Sequence, residues 1–170
     1  MNIDLNAQTE TENQSEQPST LPVEYIQNLV DNYRNNQLSV INDTMNMIDS
    51  HSIQFDLLSL KKFISDIENL AETENPEITD ADLGIRFYYA AYPETPESSV
   101  PEDYALRHTL VLIPTINKEI EGEIFNCDFN PLENGAENKT TALMPKRALI
   151  ALAQNHGTLI PPTSACIESY

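Results

Sequence analysis

Gly84–Tyr92 reads GIRFYYAAY and His108–Pro114 reads HTLVLIP. In the first stretch Ile85, Phe87, Tyr89 and Ala91 alternate with Arg86, Tyr88, Ala90 and Tyr92. This period of two, rich in aromatic side chains, predicts a strand with two distinct faces. The second stretch is apolar on both sides, as a strand with neighbours on either hand should be. Between them lies PETPESSVPEDYALR, a connection far longer than the roughly 2 to 5 residues of an ordinary hairpin. Because a loop and not a helix joins the two, parallel βαβ winding is not supported and an antiparallel arrangement is predicted.

Outward from this pair, Glu119–Phe129 contains a further strand in which Phe125, Cys127 and Phe129 share one side, and Pro131–Lys139 (PLENGAENK) is turn chemistry. Upstream, His51–Phe55 alternates as a short strand, and Asp56 is placed to cap a helix running from Leu57 to about Thr73, with Leu57, Leu60, Phe63 or Ile64, Ile67 and Leu70 on one face. Glu72–Asp82 is acidic, contains Pro76 and reads as a loop. Pro22 opens an amphipathic helix through Val23, Ile26, Leu29, Val30 and Tyr33. Asn35 and Asn36 interrupt it, and Leu38, Ile41, Met45 and Ile48 form a second stripe, which leaves open one bent helix or two. Pro145 starts a last short helix with LIALAQ as its apolar body, capped by Asn155, His156 and Gly157 and stopped by Pro161 and Pro162.

The fold class is therefore α+β, with N-terminal helices packed on one face of a small, mainly antiparallel sheet and a short C-terminal helix. Residues 1–19 are polar and acidic without any period and are expected to form a disordered tail. Residues 20–170 are expected to form a single α+β domain.

The chain has 27 acidic against 9 Lys and Arg residues, a net charge of -18. Such a surface repels nucleic-acid phosphates and anionic lipid, so neither nucleic acid nor membrane is expected as a partner. The opening MNIDLNAQTETENQSEQPST has neither the basic start nor the apolar run of a secretory signal, and the two cysteines, Cys127 and Cys166, lie far apart, so a cytoplasmic protein with free thiols is expected.

No CxxC, HExxH or EF-hand spacing is present, so no metal and no cofactor is expected. The four glycines are dispersed, which removes the phosphate-cradling loops of nucleotide binders. The nucleophile motif GxSxG is also absent, so no residue is assigned a catalytic role. What stands out is a local conflict at Lys146 and Arg147, two cations at the positive end of a predicted helix. They are placed to hold an anion together with Arg86, or else to pair with acids such as Glu133 or Glu137. Arg86, Tyr88 and Tyr92 form a second candidate patch on one strand face, with the arginine and aromatics typical of interface anchors. His108 and His156 complete the candidate ligand set, each also readable as an edge or capping residue.

Taken in order, GIRFYYAAY, HTLVLIPT and NHGTLIPP make the chain resemble a group of small uncharacterised bacterial proteins with helical N-terminal halves and this strand pair. The resemblance covers residues 20–165 and implies a bacterial cytoplasmic origin and a single domain. It implies no activity and carries over no site residues.

Two functions follow as expectations. The first is a non-enzymatic acidic interaction protein, immunity- or adaptor-like, that docks a basic protein partner by fast, salt-sensitive association. The second is a small enzyme or ligand-binding domain with an anion pocket near Arg86, Lys146 and Arg147, drawing on Tyr88, His108 and His156. Homo-oligomerisation through the N-terminal helices is a third expectation.

Overall fold

The computed structural model describes residues 19–130 and 151–160, with Leu132 and Ser169. It is a mixed α+β structure with two antiparallel sheets. The elements follow as α1 (Val23–Asn32), a π-helical segment (Tyr33–Leu38), α2 (Ser39–Met45), β1 (Ser52–Gln54), α3 (Leu57–Glu74), β2 (Leu83–Ala91), β3 (His108–Ile120), β4 (Glu123–Asp128) and β5 (Thr158–Ile160). Short 3-10 turns at Asp80–Asp82 and Glu102–Tyr104 precede β2 and β3. The expected acidic tail, apart from Ser19, lies outside the described residues, as do Lys146, Arg147 and Cys166.

The asparagine pair does not break the first helix. The stripe residues Tyr33 and Leu38 are five apart, which in an α-helix at about 100° per residue would put them roughly 140° out of line. A π-helical segment, whose bonds run from i to i+5, brings them back toward one face. Asn36 Nδ2 donates to the Asn32 carbonyl at 2.7 Å and Ser39 Oγ to the Asn35 carbonyl at 3.1 Å, so polar side chains satisfy carbonyls where the ladder changes. Asn46, with φ of 51°, ends the helix in the left-handed conformation that asparagine tolerates.

Asp56 caps α3 as its position predicts, accepting from Leu58 N at 2.9 Å and Ser59 N at 3.1 Å. Phe63 and Ile67 of this helix are buried in one cluster with Leu112 of β3, and Phe55, Leu60, Leu83, Ile85, Leu110 and Leu152 pack against it. Each buried side chain of this size contributes about 2 kcal/mol.

The three-stranded sheet has the order β2-β3-β4. Leu83 pairs with Ile116 and Ala91 with His108, so the two strands read first from sequence are antiparallel neighbours. β3 continues six residues beyond Pro114. A proline is tolerated there because N–H and C=O of one strand residue point to the same side, and Pro114 O meets Phe129 N at 2.9 Å, away from β2. The missing N–H thus falls where β4 ends, at the pair Thr115 and Asp128. Glu121 and Gly122 have φ of 55° and 86°, the two positive values of a tight hairpin turn between β3 and β4.

The described end of the expected C-terminal helix is not helical. Gln154 forms an antiparallel bridge to Leu112, with N···O distances of 2.9 and 3.1 Å, on the edge of β3 that β4 leaves open. The unpaired strand edge outcompetes local helix propensity there. Gly157 is a close approach and not a helix cap, since a Cβ on it would lie 2.4 Å from Ile53 Cγ2. β5 then pairs with β1, Ser52 opposite Ile160 and Gln54 opposite Thr158. No helix among the described residues is long and apolar enough to cross a membrane.

Candidate functional site

Strand alternation decides which candidate residues can meet. Arg86, Tyr88 and Ala90 project from one face of β2, and Ile85, Phe87, Tyr89 and Ala91 from the other. The register places His108 opposite Ala91 and Leu110 opposite Tyr89, so His108 belongs to the face opposite Arg86 and Tyr88. Arg86 and Tyr88 thus lie on one face of the sheet and His108 on the other, while Lys146 and Arg147 lie outside the described residues.

Arg86 is committed elsewhere. Its guanidinium pairs with Asp128 and donates to the Asn126 carbonyl at 2.8 Å, while the Tyr88 hydroxyl donates to the other Asp128 oxygen. The Tyr88 side chain, with the Asp128 charge behind it, holds the Arg86 pKa above its ordinary value. This is a cross-strand polar cluster, partly exposed and internally satisfied. Tyr92 packs its ring 5.7 Å from that of Tyr104 and donates to Asn155, which also accepts from Thr109 Oγ1 at 2.8 Å. Tyr104 in turn accepts from Leu159 N at 3.1 Å, so these aromatics tie the C-terminal segment to the sheet. His156 is exposed on the extended segment. Among the described residues no group of three His, Cys, Asp or Glu is placed to hold a metal.

His108 is the candidate that reaches a recess. A cleft of about 720 Å³ lies between the first helix and the sheet, lined by Leu29, Tyr33 and Ile41 on the helix side and by Tyr89, His108 and Leu110 on the sheet side. Residues 50–53 close its floor. Next to it sits Asp49, fully buried, a residue to which the sequence assigned no role. One Asp49 oxygen accepts from Ser50 N at 2.8 Å and His108 N at 2.7 Å, and the other bonds His108 Nδ1. Asn42 Oδ1 accepts from Asp49 N at 2.8 Å, and Ser50 Oγ donates to the His108 carbonyl at 2.5 Å. The chain after α2 is thus stitched to the start of β3.

The approach to β3 serves this contact. Leu106 has φ of 63°, an uncommon value for a branched side chain, and turns the chain so that Arg107 bonds the carbonyls of Ile48 and Asp103 while His108 meets Asp49. Across the cleft, burial raises the Tyr33 pKa, and the negative charge of Asp49 and the Tyr89 side chain add to the effect.

Asp49, Tyr33 and Tyr89 escape a motif search because their association depends on which turns face the sheet. The ring of His108 bonds a carboxylate 59 residues away, and no spacing rule links such positions. The arrangement can bind: apolar walls, hydrogen-bonding groups at one end and a histidine fixed by a buried acid. No family model, curated protein or solved structure matches the chain, and the cleft is read from its own residues alone.

Proposed function

We propose that this chain is a non-enzymatic interaction protein that docks a basic protein partner. The observation that carries the reading is helix α1, which is amphipathic yet buries none of its residues: Val23 is 66% exposed and Leu29 49%. An apolar flank left uncovered in a chain of net charge -18 suits a partner that offers apolar contact within a basic surround. The acids of 72–82 and 94–103 are exposed, apart from half-buried Asp82, and supply long-range attraction. In the proposed layout the helices cover one face of the sheet, which the α3 and β3 core cluster supports, and the protein works in a bacterial cytoplasm, where Cys127 stays a thiol.

The test is capture from native lysate at low and high salt, followed by calorimetry with the captured protein purified. A parallel variant carries Val23→Ser and Tyr25→Ser, exposed positions at which folding is expected to be preserved. A basic partner that binds the purified chain, weakens with salt and weakens further with the variant supports the proposal. A partner that is acidic, insensitive to salt or indifferent to the variant overturns it.

A further inference from the structure

The cleft differs in chemistry from the rest of the surface. Acids are 27 of the 170 residues, yet none of the described residues lining the cleft is acidic, while two of the three histidines, His51 and His108, line it. Its walls are apolar through Leu29, Ile41, Ile53, Tyr89 and Leu110. Its volume of about 720 Å³ lies within the roughly 300 to 1,000 Å³ range of small-molecule sites.

Asp49 behind His108 gives the recess its direction. It accepts two backbone N–H groups and the His108 Nδ1, so the imidazole is held with its second nitrogen left for another partner. A carboxylate arriving there completes a chain in which an imidazolium lies between two anions, and each contact is then a charge-assisted hydrogen bond. The acids of 72–82 and 94–103 that would repel an anion lie outside the cleft lining, and salt weakens the repulsion that remains.

From this we infer that the cleft binds a small carboxylate with an apolar body, its hydrocarbon lying between Leu29 and Tyr89 and its carboxylate on His108. An ammonium ligand meets no acid on the lining and is excluded. The inference stands on the lining of the cleft and does not need the basic-partner reading, although Leu29 belongs to both surfaces. The ionisable groups facing His108 are Asp49 from the chain after α2, Tyr33 from the π-helical segment, His51 from the cleft floor and Tyr89 from β2.

Three probes with one skeleton test it: 3-phenylpropionate, 3-phenylpropanol and 3-phenylpropylammonium, titrated into the full chain and followed by amide NMR shifts. The expected result is saturable binding that shifts Tyr89 and Leu110, with the acid about tenfold tighter than the alcohol and the ammonium weakest. His108→Gln is expected to erase the acid's advantage while leaving alcohol binding in place. For the case in which that variant fails to fold, the His108 ring signals of the wild-type chain are followed by imidazole nitrogen NMR, and the acid is expected to shift them while the alcohol does not. No saturable binding, shifts confined to another surface, an ammonium that matches the acid, an acid preference indifferent to His108→Gln, or an acid that leaves the His108 ring signals unmoved overturns the inference.

Discussion

Asp49 and His108, 59 residues apart, are joined twice: the His108 backbone N–H donates to one carboxylate oxygen at 2.7 Å, and the His108 ring nitrogen Nδ1 bonds the other. The double contact fixes both the path of β3 at its first residue and the orientation of the imidazole. Since Asp49 has no exposed surface, its charge is balanced by these partners and by Ser50 N.

Removing that carboxylate leaves buried donors without an acceptor, at about 1 to 3 kcal/mol for each. Asp49→Ala is therefore expected to lower unfolding free energy by about 3 kcal/mol in urea titrations, and Asp49→Asn by less, because its amide oxygen still accepts. Equal stability of Asp49→Ala and wild type would show that the buried contact does not form.

Gly157 is needed for space. A Cβ there would meet Ile53 Cγ2 at 2.4 Å and the Phe55 ring at 3.0 Å, so Gly157→Ala is expected to cost about 1 to 3 kcal/mol through forced displacement. The double variant with Ile53→Ala should lose less than the two single losses added together, since the nearest obstacle has gone. Strict additivity in a double-mutant cycle would contradict the contact between this segment and β1.

The cap of α3 predicts an acid dependence. The Ser59 hydroxyl first, then the amides of Leu58 and Ser59, hold the Asp56 carboxyl below its ordinary value of 3.8. A depressed carboxylate stabilises the fold above its unfolded pKa, and this contribution is lost as pH falls through the folded value. Asp56→Ala should therefore lower Tm at pH 7, and the difference from wild type should shrink as pH is taken below the ordinary carboxylate range and the cap becomes protonated. A Tm difference undiminished at pH 2 would assign the loss to something other than the ionised cap.

At the alkaline end Tyr33 is raised above the ordinary 10.0 by burial first and by the Asp49 charge next. Its neutral form is the one the fold favours, so its contribution is complete below pH 10 and is lost as pH rises through the folded value. In ultraviolet phenolate titrations Tyr33→Phe should remove a step that lies above the ordinary tyrosine range. Loss of a step at the ordinary value would place Tyr33 in open water.

Local chemistry was legible where neighbours along the chain decide the outcome. The alternation in GIRFYYAAY, the two-sided apolar run HTLVLIP and the loop between them pointed to two antiparallel strands, Asp56 set the start of α3, and the stripe from Leu57 marked the face that buries Phe63 and Ile67. The asparagines misled because side chains that usually compete with helix backbone here bond back onto it within a π-helical turn. Glu121–Gly122 carried a turn signal within the stretch Glu119–Phe129, which reads as containing a strand of its own.

The sequence alone determined composition, the alternating strand faces and the capped helix, because these depend on intrinsic charge and on periods of two and 3.6 residues. Tertiary structure alone decided that residues 151–157 run extended, since an open edge of β3 offered Gln154 two backbone hydrogen bonds that no local preference encodes. It also decided the cleft. Alternation separated His108 from Arg86, and burial brought Asp49 to the histidine across 59 residues, a pairing set by chain path and low exposure and not by spacing.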